Sequence, residues 1–180
     1  MKVLVAIGDP EREGSLLETA AALAGDGEVV LASAIEVTGE DTLASAQPEA
    51  RVRRRALDAL AGGLPGHHLR SLVTVARVGW EAIREACATE RPDLLLVAWR
   101  RPGWDMFGTT IEAILRQPPC DLAVVKGRPA RAKRILVPVR GGRYAQLAAR
   151  LGIALAKAQG GAVTLLTVTA DIVNPLRLPQ

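Results

Sequence analysis

The stretch Lys2-Val3-Leu4-Val5-Ala6-Ile7-Gly8-Asp9-Pro10 decides how the rest of the chain is read. Its aliphatic run has no polar residue between Val3 and Ile7, which suits a short strand covered on both faces, the situation of a parallel sheet. Gly8-Asp9-Pro10 is a breaker cluster, so the strand ends in a loop. Ser15 can cap a helix whose apolar positions Leu16, Ala20, Leu23 and Ala24 recur at helical spacing until Gly25-Asp26-Gly27 stops it. Glu28 to Ile35 then supplies a second strand. Strand, helix, strand is the crossover unit of a parallel sheet, and its hand is right-handed.

The same alternation continues outward. A helix is predicted from about Pro48 to Ala61 with Val52, Ala56 and Leu60 on one stripe, closed by Gly62-Gly63. Leu69 to Ala76 reads as a strand, and Gly79 to Thr89 as a helix with Trp80, Ile83 and Cys87 facing inward. Asp93 to Ala98 is a strand apolar enough to be central, and a helix starting at Gly108 or Thr109 carries Ile111, Ile114 and Leu115 as far as Pro118-Pro119. Asp121 to Val125 completes a doubly wound five-stranded parallel α/β sheet within residues 1–127. After a connector at 128–133 the pattern restarts. Arg134-Ile135-Leu136-Val137-Pro138-Val139 repeats the character of the opening strand, and Leu155-Ala156 stands 132 positions after Leu23-Ala24. Residues 134–180 thus read as an incomplete strand-helix-strand repeat ending with Ala162 to Val168 and a tail. Such a fragment buries only part of its apolar surface and needs a covering, from the first domain, a partner chain or further sequence.

Composition narrows the function. With 180 residues, 49% of them hydrophobic and 23% charged, the chain has the make-up of a folded globular protein, and wholesale disorder is excluded. Its longest apolar run, Leu94 to Trp99, is far too short to cross a bilayer, and the N-terminus lacks the layout of a signal peptide, so the expectation is a cytoplasmic protein without direct membrane insertion. The net charge of +4 is modest and aromatics are only 3%, against the clustered bases and stacking rings of a nucleic-acid binder. Arg51, Arg53, Arg54 and Arg55 spread around their helix and read as a solvated face. Cys87 and Cys120 have no metal or Cys-x-x-Cys spacing and are expected to be reduced, buried and inert. His67-His68 has no cysteine or carboxylate at ligand spacing, so no metal site is expected. No Gly-x-Ser-x-Gly elbow, Walker lysine loop or paired carboxylates appear, so no catalytic residues are assigned and an enzyme is not expected.

Four stretches carry a resemblance to a known family: Val3 to Glu11, Arg91 to Val97, Gly108-Thr109-Thr110 leading through Ile114-Leu115-Arg116 to Pro119 to Val125, and Ile135 to Val139. In order and character they resemble the universal stress proteins, with their adenine-nucleotide alpha-hydrolase-like sheet. The resemblance implies a crevice outside the carboxyl ends of the first and fourth strands, where many members bind ATP. There an acidic residue after the first strand engages the nucleotide. A loop of Gly, two residues, Gly, nine residues, Gly and Ser or Thr admits the phosphates to a helix start.

This chain departs from that loop. Ala98 and Arg101 stand where the two early glycines belong, Gly108-Thr109 follows after six intervening residues, and Gly8 occupies the acidic position with Asp9 displaced by one. The ligand-binding set carried over is therefore Gly8, Asp9, Ala98, Arg100, Arg101, Gly103, Gly108, Thr109 and Thr110, fit for ATP, another adenine nucleotide or a different phosphate-bearing ligand. Each has a structural reading beside it. Gly8-Asp9-Pro10 serves equally as a plain turn and Thr109 as a helix cap, while Trp99 and Trp104 suit base stacking, core packing or a subunit contact. Gly141-Gly142 between Arg140 and Arg143 fits an anion nest or a turn.

Two functions follow. One is a free-standing, dimeric, non-catalytic regulator that binds a phosphorylated small ligand, which the opening Met1-Lys2-Val3 favours. The other is an interaction module without ATP, like the stress-protein-like domains of some amino-acid permeases and cation antiporters, which the eroded loop and unfinished repeat favour. The family's habit of pairing last strands implies a homodimer through Asp121 to Val125, with Ala162 to Val168 helping to cover the interface.

Overall fold

Both neighbours of the opening strand are as apolar as it is, and that places it in the middle of a sheet. The computed structural model describes residues 1–39, 42, 44–64, 66–99, 107, 109, 111–127 and 132–168. Its elements run β1 (Val3–Ala6), α1 (Pro10–Glu13), α2 (Leu16–Ala24), β2 (Glu28–Glu36), α3 (Gln47–Gly62), β3 (His68–Ala76), α4 (Gly79–Glu90), β4 (Leu94–Ala98), α5 (Ile111–Arg116) and β5 (Leu122–Val125). A second group follows, β6 (Arg134–Pro138), α6 (Gly142–Gln159) and β7 (Ala162–Leu166). The chain divides into two compact units, residues 1–131 and 132–180.

In the first unit the strand order is β3-β2-β1-β4-β5 and every pairing is parallel. Val5 lies opposite Leu31 on one side and Leu96 on the other. The chain winds outward through β2 and β3, then returns to the far side of β1 for β4 and β5, so the order reverses between β1 and β4. Chain ends diverge there, and a doubly wound sheet opens its crevice at their carboxyl ends.

Alternation along the strands sends side chains to two layers. Leu4, Ala6, Val30, Ala32, Leu95 and Val97 pack with Trp80, Ile83, Ala86 and Cys87 of α4 and with Ile111 and Ile114 of α5. Val3, Val5, Leu31, Leu94 and Leu96, which alternate with them, are equally shut from water, as are Leu16, Leu17 and Ala20 of α2. At about 1.5–3 kcal/mol for each large aliphatic side chain buried, this double layer is the main source of stability. The helix α3 is rotated from the predicted stripe: Leu57 is 0% exposed whereas Val52 is 65% exposed. Ala56 and Leu60 border either stripe, and the larger leucine wins the inward place.

The amino ends of the strands are closed by charge. Lys2 Nζ lies 3.2 Å from Glu28 Oε2 and 2.7 Å from Glu90 Oε2. Arg70 Nε lies 2.5 Å from Glu28 Oε1, and its Nη2 pairs with Glu90. Hydrogen bonds from Arg70, then Lys2, hold the Glu90 carboxyl below its ordinary range, and the Arg70 bond does the same to Glu28. Lys2 is raised, first by its bond to Glu90.

In the second unit β6 and β7 form a parallel pair with Ile135 opposite Val163 and Val137 opposite Leu165. The helix α6 lies so close that a Cβ on Gly152 would stand 2.6 Å from Val137 Cγ2, a space only glycine leaves open. Leu136, Leu165 and Leu166 are exposed.

Candidate ligand crevice

The last ladder bond of the opening strand runs from the Ile7 N–H to the Ala32 carbonyl at 2.8 Å. Beyond it the backbone turns, and the amides of Gly8 and Asp9 both donate to Glu13 Oε2, at 2.7 and 3.3 Å. This carboxylate is only 6% exposed. The local sequence explains the fold-back. Asp9 takes an extended conformation and its Oδ1 accepts from the Glu11 amide at 3.1 Å; Pro10 pre-sets the first turn, and one short helical turn returns Glu13 over the loop. Asp9 Oδ2 also meets Arg12 Nε at 3.3 Å.

On the opposite side Arg53 Nη1, from α3, donates to the Gly8 carbonyl at 2.6 Å and to Ser33 Oγ at 3.1 Å. Its Nη2 keeps a looser contact of 3.5 Å with Glu49. Arg51, Arg54 and Arg55 are exposed, as the charge run predicts, but Arg53 leans inward and clamps the end of β1.

The fourth strand's end is built differently. The Trp99 N–H donates to the Val125 carbonyl at 2.6 Å, which leaves about a third of the residue in solvent, and Lys126 Nζ stands 5.8 Å from its ring centroid. That is within reach of a cation–π contact. At the start of α4 the Gly79 amide donates to Glu36 Oε1 at 2.7 Å and the Trp80 amide to the Phe107 carbonyl at 2.6 Å. Phe107 has φ 55, a left-handed conformation unusual for a bulky residue. A Cβ on Gly79 would lie 3.1 Å from Glu36 Cγ and 3.2 Å from Phe107 Cα, a tight fit that a larger residue could enter only if these neighbours gave way by a few tenths of an ångström.

Between these walls lies a cleft of about 270 Å³, bounded by Arg12, Glu13 and Ser15 on the β1 side and by Ala98, Trp99 and Gly127 on the other. A larger hollow of about 470 Å³ sits over Glu28, His68 and Arg70 at the amino ends. Its charged groups are already matched with one another, and it lies away from the switch point, so the smaller cleft is the candidate. It offers a guanidinium, a carboxylate, a hydroxyl and an indole face. Those groups suit a small ligand with an anionic part and a ring.

Of the predicted site residues, Gly8 and Ala98 flank the switch point, because Ala6 and Val97 are opposite in register. Asp9 is turned onto its own helix. Thr109 is half-buried in an isolated bridge, and α5 is Ile111–Arg116 rather than a helix starting at Gly108 or Thr109, because Thr109 is engaged in that bridge. Arg100, Arg101, Gly103, Gly108 and Thr110 lie outside the described residues, as does Trp104. In the second unit Arg143 stacks on the neighbouring Tyr144 ring, 5.1 Å from its centroid. Among the described residues no three or more His, Cys, Asp or Glu gather as metal ligands. Arg53, read in the sequence as part of a solvated face, instead holds the Gly8 carbonyl and Ser33. Glu13, Glu36 and Phe107 went unread in the sequence. Only Glu13 left a trace there, as an acid one turn after an Asp-Pro helix start.

The sequence profile of the universal stress protein family matches residues 1–126. The chain belongs to that family. A crystal structure of a universal stress protein in complex with cAMP is similar at 17% identity, covering 70% of this chain and 96% of that one, with a TM-score of 0.52. The universal stress protein UspA from Lactobacillus plantarum is similar at 13% identity over 69% of this chain and 97% of its own, with a TM-score of 0.48. An Arabidopsis thaliana family member with AMP bound has 17% identity over 70% and 91% of the two chains and a TM-score of 0.43. No curated protein matches in sequence. The universal stress protein sheet therefore forms the first unit of this chain, and among the described residues no helix is long and apolar enough to cross a membrane.

Proposed function

We propose that this universal stress protein is a non-catalytic regulator that binds an adenine nucleotide, or a similar phosphorylated small ligand, in the cleft between the ends of β1 and β4. The observation that carries the reading is Trp99, about a third exposed, which with Arg12, Glu13 and Ser15 lines an opening of about 270 Å³ at the sheet's switch point. An indole face takes a base by stacking, and a guanidinium takes an anion. The cAMP complex of a similarly folded protein supports adenine as the base by analogy of fold. The volume suits a cyclic or single phosphate better than a triphosphate, since drug-sized pockets start at roughly 300 Å³. Glu13 beside the cleft accepts from the Gly8 and Asp9 amides, which supports reading the site as a binding site. Gly8, Ala98, Arg100, Arg101, Gly103, Gly108, Thr109 and Thr110 remain the proposed contacts of the β1 and β4 loops, with Asp9 supporting them through α1.

The edge strand β5 supports a homodimer formed by pairing that edge with its mate, since an uncovered edge offers a row of backbone partners. Cytoplasmic residence goes with this reading.

Calorimetric titration of the full chain with cAMP, AMP and ATP tests the proposal, repeated on Trp99→Ala, Arg101→Ala and Thr109→Ala. Binding of at least one nucleotide is expected, with affinity falling about ten-fold in Trp99→Ala, the order of one lost base stack. No heat from any nucleotide overturns it. A second reading then stands, an interaction module for a partner protein such as a membrane transporter. The observation that favours it is the Glu13 carboxylate already seated on the Gly8 and Asp9 amides.

A further inference from the structure

Charge is divided unevenly along the chain. Residues 132–168 hold six of the 23 basic side chains, Lys133, Arg134, Arg140, Arg143, Arg150 and Lys157, and none of the 19 acidic ones. Residues 1–131 hold sixteen basic and eighteen acidic residues, so the first unit is slightly acidic while the described part of the second carries charge of one sign only. All six cations are exposed. Among the described residues Lys133, Arg134, Arg140, Arg150 and Lys157 enter no ion pair.

In α6 this charge is ordered. Arg143, Arg150 and Lys157 recur every seven residues. Seven residues are close to two helical turns, so the row spans about 21 Å along one side of the helix and drifts by only ~20° at each step. Gly152, which meets β6 and β7, and the buried Ala156 lie on the opposite side. Ile153, 56% exposed, stands between Arg150 and Lys157, and Tyr144, 71% exposed, lies beside the start of the row under the Arg143 guanidinium. Local stability does not account for the pattern. The first turn of α6 has a cation and no acid, the reverse of what the helix dipole favours. By contrast, Arg51, Arg54 and Arg55 of α3 share their helix with Glu49 and Asp58, as a solvated face does.

We propose that the outer face of α6 docks the second unit on an acidic lipid bilayer, lying along its surface without crossing it. Charge of a single sign selects a polyanion and repels a second copy of the same unit. The side chains among the cations then choose between polyanions. Duplex nucleic acid is gripped by cations and polar groups and gains little from an aliphatic side chain facing its phosphates. A bilayer takes both kinds: the Arg and Lys heads meet lipid phosphates and carboxylates, Ile153 reaches the acyl boundary, and Tyr144 suits the interface, where its ring and its hydroxyl have different surroundings. The docking does not involve the cleft of the first unit, so either reading can fail alone.

Sedimentation of the full chain with vesicles tests this, phosphatidylcholine alone being compared with phosphatidylcholine containing about one-third phosphatidylserine. Wild type is expected to pellet with the acidic vesicles, to ignore the neutral ones, and to be released as salt rises from about 0.1 M to about 0.5 M. Arg150→Glu combined with Lys157→Glu should weaken binding at least about ten-fold, whereas Arg150→Lys, and Arg51→Glu combined with Arg55→Glu on α3, should stay within about two-fold of wild type. Failure to pellet with acidic vesicles overturns the proposal. So does equal pelleting with both vesicle types, an equal loss in the α3 variant, or binding to a random-sequence DNA duplex by protein that ignores the vesicles. Salt-sensitive self-association without vesicle binding overturns it in favour of a second copy. If the reversed α6 variant misfolds by circular dichroism, the vesicle comparison and the salt release of wild type decide.

Discussion

The two ends of the first unit's sheet are finished by opposite means. At the amino ends, cations and carboxylates from β1, β2, β3 and α4 neutralise one another, Lys2 and Arg70 each touching both Glu28 and Glu90. At the carboxyl ends, carboxylates are spent on backbone amides instead, Glu13 on Gly8 and Asp9, and Glu36 on Gly79. Side-chain pairs at a surface close an end off. Carboxylates seated on amides hold the turn of a loop instead; under the proposed function the N–H groups that meet Glu13 are the ones a phosphate or ribose oxygen would take over. The difference separates an end finished by ion pairs from an end finished by loops.

The largest effect expected on this contrast comes from Glu13→Ala. Two poorly solvated amides lose their acceptor, and stability should fall by about 1–3 kcal/mol, read as a lower urea midpoint with an unchanged slope. Nucleotide affinity, if the ligand uses those amides, should rise in the same variant. Unchanged stability would show that Glu13 is no part of the loop's scaffold. Glu36→Ala should cost less, about 0.5–1 kcal/mol, since that carboxylate is exposed and water can replace it at the helix start. A loss equal to that of Glu13→Ala would erase the distinction between the two carboxylates.

The amino-end lattice should give the smallest change near neutrality, on the order of a few tenths of a kcal/mol per pair between low and high salt, because its members are partly exposed. Its pH signature is sharper. Glu28 and Glu90 are lowered in the folded protein, so their contribution is present above the usual carboxylate range and is lost as pH falls through their depressed values. Lys2 is raised, so its share is present below the ordinary lysine range and disappears only as the solution becomes strongly alkaline. Thermal melts from neutral pH downward should therefore show an acid loss that Arg70→Ala diminishes. An identical acid limb in that variant would refute the lattice as its source.

Much of the fold was legible because burial leaves periodic traces. The run Leu94 to Val97 announces a covered strand, and the Gly and Pro clusters mark almost every turn. The helix α3 shows where periodicity stops deciding: Val52-Ala56-Leu60 and Ala56-Leu57-Leu60 are both acceptable helical stripes, and the larger apolar area of Leu57 tips the choice between them. The resemblance implies a crevice at the ends of β1 and β4, but the hydrogen bonds that build the loops there were not foreseen. Hydrogen bonds from Glu13, Glu36 and Arg53 to loop backbone depend on where a turn closes in space, which no residue spacing encodes. Arg53 is indistinguishable from Arg54 in sequence, yet one clamps Gly8 and the other faces solvent.

The narrow fit at Gly152 has a practical consequence. One added methyl group there would stand 2.6 Å from the Val137 side chain, so α6 and β6 could stay packed only if one of them shifted. Gly152→Ala is thus a one-residue probe of how the second unit holds itself together.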